Sequence, residues 1–148
     1  MKIHEMFPYL CVNDGGAAIG FCCNVFGGKE RFQLTEPDGR IRHAELELGD
    51  GLVLMISDEF SKYGIKSART IGATPVSFRL HGDEADAIIH HAAECGATIE
   101  LDPADQFYGE RGGSFINPSG HRWNIGHSIE TVSSEEMRLR YTEMLEKS

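Results

Sequence analysis

The 148 residues, 41% apolar and 25% charged, suit one globular domain or two half-size units sharing a core, which excludes disordered and collagen-like chains. Fourteen Lys and Arg stand against 23 Asp and Glu; the net charge of −9 repels phosphate backbones and anionic lipid, and no basic cluster relieves it, so neither nucleic acid nor a membrane is expected as a partner. No apolar run follows Met1-Lys2-Ile3-His4-Glu5 and none later reaches the roughly 20 residues of a membrane span, so a cytoplasmic protein is expected.

Phe7 to Val12 reads as a short strand stopped by the turn residues Asn13-Asp14-Gly15-Gly16. Ala17, Ala18, Phe21, Cys22, Val25 and Phe26 then recur at helical spacing, with Asp14 as a cap near the start and Gly27-Gly28 at the end. Three antiparallel strands are expected next, Arg31 to Thr35, Ile41 to Leu48 and Leu52 to Ser57, separated by Pro37-Asp38-Gly39 and Gly49-Asp50-Gly51. Asp58 to Ala73 shows little apolar periodicity and reads as a linker. The order then repeats: a strand over Pro75 to Leu80, an Ala-rich helix over Asp83 to Cys95 closed by Gly96, and strands at Thr98 to Leu101, Gly113 to Asn117 and His121 to His127.

Val12 and Leu80, each closing the first strand of its half, lie about half the chain apart, so an α+β protein built on a duplicated βαβββ unit is expected. The modules fall at 1–60 and 74–128, with a linker at 61–73 and a C-terminal segment at 129–148. In that segment Ser133-Ser134-Glu135-Glu136 offers a capping box ahead of Met137, Tyr141, Met144 and Leu145, predicting a helix docked on its own domain or on a partner subunit. Four cysteines and seven histidines show no metal-ligand or redox spacing, so neither a metal nor a cofactor is expected.

Several strings together carry a family likeness. Pro8-Tyr9-Leu10, Ala18-Ile19-Gly20-Phe21-Cys22-Cys23-Asn24-Val25-Phe26-Gly27, His43-Ala44-Glu45-Leu46, Leu54-Met55-Ile56-Ser57-Asp58-Glu59, Tyr108-Gly109-Glu110-Arg111 and Asn117-Pro118-Ser119-Gly120-His121-Arg122-Trp123 follow one another in order. So read, the chain resembles the glyoxalase/bleomycin-resistance (vicinal oxygen chelate) superfamily, and within it the PhnB-like branch, over about residues 6 to 140. The resemblance implies two βαβββ modules whose eight strands form an open cup, helices outside and ligand inside, often completed across a homodimer. It also implies that metal-using relatives place His, Glu or Gln on four inward positions; these map here to Phe7, Met55, Pro75 (or Ser77) and Asn124, none a good donor for a first-row metal.

Strand alternation assigns the remaining faces. Phe7, Tyr9 and Cys11 should face the cup, then Pro75, Ser77 and Arg79, and finally Arg122 and Asn124; on Leu52 to Ser57 the register implied by the resemblance puts Met55 inward, with Val53 and Ser57. Val76, Phe78, Leu80, Trp123 and Ile125 should pack against the helices. His43 and Glu45, two apart on one strand face, form the candidate catalytic pair, able to position or protonate a substrate, or to make only a structural hydrogen bond. Arg79, Arg111 and Arg122 could answer an anionic group or pair with local carboxylates. Phe7, Tyr9, Phe107 and Tyr108 could wall a planar ligand or belong to the core. The functional expectation is a metal-independent small-molecule-binding protein, a homodimer, with its ligand in the cup. The alternatives are a lyase, isomerase or dioxygenase-like enzyme using His43 and Glu45 or a non-standard metal set, and a chain acting chiefly through association.

Overall fold

The computed structural model describes all residues from Met1 to Ser148. They divide into two compact units, one formed by 1–76 with 117–121, the other by 77–116 with 122–148.

In the first unit, β1 (Tyr9–Val12), β2 (Lys29–Thr35), β3 (Ile41–Gly49) and β4 (Leu52–Asp58) form a sheet in the order β1-β4-β3-β2, with β1 parallel to β4 and the other pairs antiparallel. Helix α1 (Gly15–Phe26) starts where the Asp14 carboxylate accepts the Ala17 N–H and stops at Gly27, whose φ of 67° only glycine adopts cheaply. Its buried stripe of Ala18, Ile19, Phe21, Cys22 and Val25 covers Val12, Ala44, Leu46, Leu54 and Ile56, the alternate residues of β1, β3 and β4. Each such large side chain contributes roughly 1.5–3 kcal/mol. The helix start is pinned by Asp58: its Oδ1 accepts the Gly15 N–H and its Oδ2 the Ile41 N–H, both at 2.7 Å. A Cβ on Gly15 would stand 2.9 Å from the end of the Ile41 side chain and 3.1 Å from Asp58 Oδ2, so a larger residue would have to push Ile41 aside.

The second unit repeats this topology. Strands β5 (Ser77–His81), β6 (Thr98–Asp105), β7 (Glu110–Ile116) and β8 (Arg122–Ser128) run in the order β5-β8-β7-β6, again with only the outer pair β5 and β8 parallel. Helix α3 (Ala85–Glu94) buries Ala85, Ile89 and Ala92, and Phe115, Trp123 and Ile125 are buried in the same unit. Phe78 lies 5.0 Å from Trp123, centroid to centroid.

Several boundaries differ from those expected. The 58–73 stretch is not featureless: a 3₁₀ turn at Ser61–Tyr63 and a short helix α2 (Ala68–Ile71), capped by Ser67, occupy it. Val76 precedes β5 and is 51% exposed instead of packing against the helices, because the strand opens only at Ser77. β6 runs on through Pro103 to Asp105, β7 begins at Glu110, and the intervening residues 106–109 make the turn in which Gly109 N–H donates to the Gln106 carbonyl. Helix α4 (Ser134–Glu146) has the expected cap, Glu136 N–H to Ser133 Oγ at 3.1 Å, yet buries none of its residues. Arg140 holds it by donating to Glu130 and to the Phe107 carbonyl, and Tyr141 lies 5.5 Å from the Phe107 ring.

Candidate functional site

Strand register builds a transverse row on the face of the first sheet that α1 leaves open. Tyr9 of β1 stands opposite Met55 of β4, Met55 opposite Glu45 of β3, and Glu45 opposite Phe32 of β2. Directly opposed residues share a face, so these four side chains cross the sheet in one line. The next row adds His43 opposite Leu34. Tyr9, Phe32 and Leu34 are each about half exposed, so an apolar and aromatic surface surrounds the polar residues.

Within that surface the polar groups are joined. Tyr9 Oη lies 2.6 Å from His43 Nδ1, and His43 Nε2 lies 3.1 Å from Glu45 Oε1. The Tyr9 and His43 rings are 5.3 Å apart and the Phe32 ring stands 6.2 Å from His43. Partial burial raises the Tyr9 phenol above its usual range; Arg42 opposes this and Glu45 adds to it. The structure thus unites Tyr9, Met55, His43 and Glu45 on one face. Phe7 precedes β1 and is partly exposed. Cys11 is part-buried, its thiol pushed up to about 11 by burial with Glu59 and Asp58 adding to it, which keeps it protonated at neutral pH.

In the second unit the equivalent row reads Arg79, Asn124, Ser114 and Leu101. Arg79 forms an ion pair with Glu110 and lies over the Tyr108 ring, 5.7 Å from its centroid. Glu110 also faces His81, whose Nε2 is 3.2 Å from Ser128 Oγ. A small cavity of about 90 Å³ lies among Arg79, Leu101, Gln106, Tyr108 and Asn124. Ser77 stands opposite Arg122, and Arg122 is held by both oxygens of Glu100, which keeps that carboxyl below its usual range.

Arg111 does not join them. It is opposite His127, whose Nδ1 accepts the Ala85 N–H of α3, and it donates to Asp86 of that helix and to Asp105. Strand alternation explains this: Glu110, Gly112 and Ser114 take one face of β7 and Arg111 the other. All three arginines named from the sequence therefore already have carboxylate partners.

A hollow of about 730 Å³ lies elsewhere in the first unit, among Asp14, Asp38, Arg40, Glu59, Phe60 and Lys62. Its charged groups are largely spent internally: Arg40 donates to Asp38 and to the Glu59 carbonyl, while Glu59 accepts the Ser67 N–H. No three His, Cys, Asp or Glu side chains come together in a metal-binding group. No helix is long and apolar enough to cross a membrane.

The Tyr9–His43 bond was beyond sequence reasoning because β1 and β3 are not neighbours; only the placement of β4 between them sets its reach. Alternation by itself puts both residues on the same side. The Arg79–Glu110 pair escaped for the same reason, lying across β8.

Comparison with known proteins agrees with this architecture. The model of the Glyoxalase/Bleomycin resistance protein/Dioxygenase superfamily matches residues 2–125. An uncharacterised Mycobacterium bovis protein is 33% identical over 134 residues, covering 88% of each chain. Among solved structures, the PhnB protein from Bacillus cereus superposes with a TM-score of 0.68 at 15% identity, over 84% of this chain and all of that one. The fosfomycin resistance protein FosX from Listeria monocytogenes, solved with Mn(II) and sulfate, gives 0.65 at 18% identity over 95% and 99%. With a family model spanning most of its length and two βαβββ units of one topology, the chain belongs to the Glyoxalase/Bleomycin resistance protein/Dioxygenase superfamily.

Proposed function

We propose that this protein binds a small, planar, uncharged molecule on the open face of the first sheet, without requiring a metal ion, and does so as a homodimer. The observation that carries the reading is the row Tyr9, Met55, Glu45 and Phe32 with Leu34 and His43 beside it: half-exposed apolar groups around a few hydrogen-bonding atoms. The charged acid in that row is Glu45 and no arginine stands in it, which favours an uncharged ligand over an anion. The metal-ligand positions implied by the family resemblance carry a phenyl ring at Phe7, a thioether at Met55, a proline ring or hydroxyl at Pro75 or Ser77 and an amide at Asn124, a donor set that does not fit a divalent cation.

The test is a thermal-shift series on protein dialysed against a chelator, its metal content measured at less than about one equivalent per chain. Phenol and 2-naphthol are compared with benzoate and 2-naphthoate. The neutral compounds should raise the melting temperature, and Phe32→Ala should weaken their effect. Stronger stabilisation by the carboxylates, or stoichiometric metal surviving the chelator, would contradict the reading. A second reading, enzymatic acid–base chemistry, is favoured by the Tyr9–His43–Glu45 connection.

A further inference from the structure

The geometry points to Tyr9 as a proton acceptor for an acidic hydroxyl, a phenol or an enol, on the molecule bound at the first sheet, with His43 taking up the displaced proton and Glu45 fixing the orientation of His43. This rests on the ligand site proposed above and adds to it a chemical class and a direction of proton transfer.

Glu45 sets the tautomer of His43. A carboxylate only accepts, so the 3.1 Å contact places the imidazole proton on His43 Nε2. Nδ1 is then bare, and at 2.6 Å it must accept the Tyr9 O–H. The phenolic proton therefore points inward and the oxygen lone pairs are left for the open face. Accessibility agrees: Tyr9 is 51% exposed, whereas the His43 and Glu45 side chains are 20% and 26% exposed. Both His43 nitrogens are engaged, so a ligand hydroxyl meets Tyr9 first.

The remaining surroundings suit a neutral donor. Opposite Tyr9, β4 contributes Met55; β2 contributes Phe32 and Leu34; none of these titrates. The charged groups acting on Tyr9 are Arg42 and Glu45, both on β3. With its phenol raised by burial, Tyr9 rests protonated, so it acts by passing a proton through its oxygen and not by standing as a tyrosinate. In the step, the ligand O–H bond breaks and its proton goes to Tyr9 Oη. The Tyr9 proton passes to His43 Nδ1. The ligand becomes an oxyanion accepting from the Tyr9 O–H, and the imidazolium that forms lies between Tyr9 and Glu45. One negative and one positive charge appear together, and no other reactant is consumed.

The probe is 4-nitrophenol, whose anion absorbs visible light. At a pH below its solution pKa, the probe bound to wild-type protein should show an anion fraction about tenfold above that of the free probe, one pKa unit in its favour. Tyr9→Phe should return the bound probe to its solution ratio. Independently of any ligand, nitrogen NMR of labelled histidine should show His43 with its proton on Nε2, and Glu45→Gln should mix the two tautomers. A bound probe with an unchanged anion fraction, a fraction that survives Tyr9→Phe, or His43 found protonated on Nδ1 would overturn the inference while leaving the ligand site standing. Failure of 4-nitrophenol to bind at all would overturn the ligand site and the inference with it.

Discussion

Asp58 is the side chain on which the first unit most depends, because one buried carboxylate serves the backbone of both α1 and β3. Asp58→Ala would strand the Gly15 and Ile41 amides, and an unsatisfied buried group costs about 1–3 kcal/mol. Urea denaturation should therefore show a loss of about 3 kcal/mol; a loss within experimental error would mean that water replaces the carboxylate without cost. His121 acts in the opposite sense, as a group that burial holds neutral: its pKa lies below the usual histidine value. The unfolded chain then binds the proton more readily, so folding is favoured above the unfolded value of about 6.5 and weakens as pH falls through it. Denaturation midpoints of wild type at pH 8 and pH 6 should differ, and His121→Gln should flatten that difference; an unchanged slope would locate the pH dependence elsewhere. Asp86 has its own, more acidic window. Hydrogen bonding from Arg111 lowers its carboxyl, so its contribution is lost only as pH falls below the usual carboxylate range.

Elements separate by how firmly they are packed. α1 and α3 cover sheets with buried stripes, whereas α4 hangs on Arg140 and Tyr141 and buries nothing. Its start depends on Ser133, so Ser133→Ala should cost the helix about 1 kcal/mol. Because so little else rests on α4, amide exchange should quicken within Ser134–Glu146 while global unfolding stays unchanged; a fall in global stability would show that α4 is part of the cooperative core. Most elements were legible in the sequence because their physics is local: the Asp14 and Ser133 caps, the helical spacing of Phe21, Cys22 and Val25, and the alternation of β3 and β8 each involve residues a few positions apart. What failed was non-local. Where β5 opens, how far β6 continues through Pro103, and the helical turns between β4 and β5 depend on partners that a single stretch does not reveal.

At the scale of the molecule, two units of one topology carry different chemistry in equivalent rows. Tyr9, Met55, Glu45 and Phe32 in the first correspond to Arg79, Asn124, Ser114 and Leu101 in the second. Alternation puts Tyr9, His43, Glu45 and Met55 on one face of the first sheet and Arg79 and Asn124 on one face of the second, and the strand register has the same sharing within each sheet. The sequence leaves open whether Arg79, Arg111 and Arg122 meet a ligand or local carboxylates; each is paired with a carboxylate, Arg111 against α3, while the first unit's polar groups are linked in a chain ending at an exposed phenolic oxygen. That contrast is the reason the ligand site is proposed on the first unit, where apolar surface and an available hydrogen-bonding atom coincide.

Chemical-shift mapping with 2-naphthol tests that placement most directly, using amide signals and the methionine methyl groups. Perturbations should centre on Tyr9, Phe32, His43 and Met55. Perturbations centred instead on the hollow around Phe60 and Lys62, or on the cavity beside Arg79 and Tyr108, would contradict it.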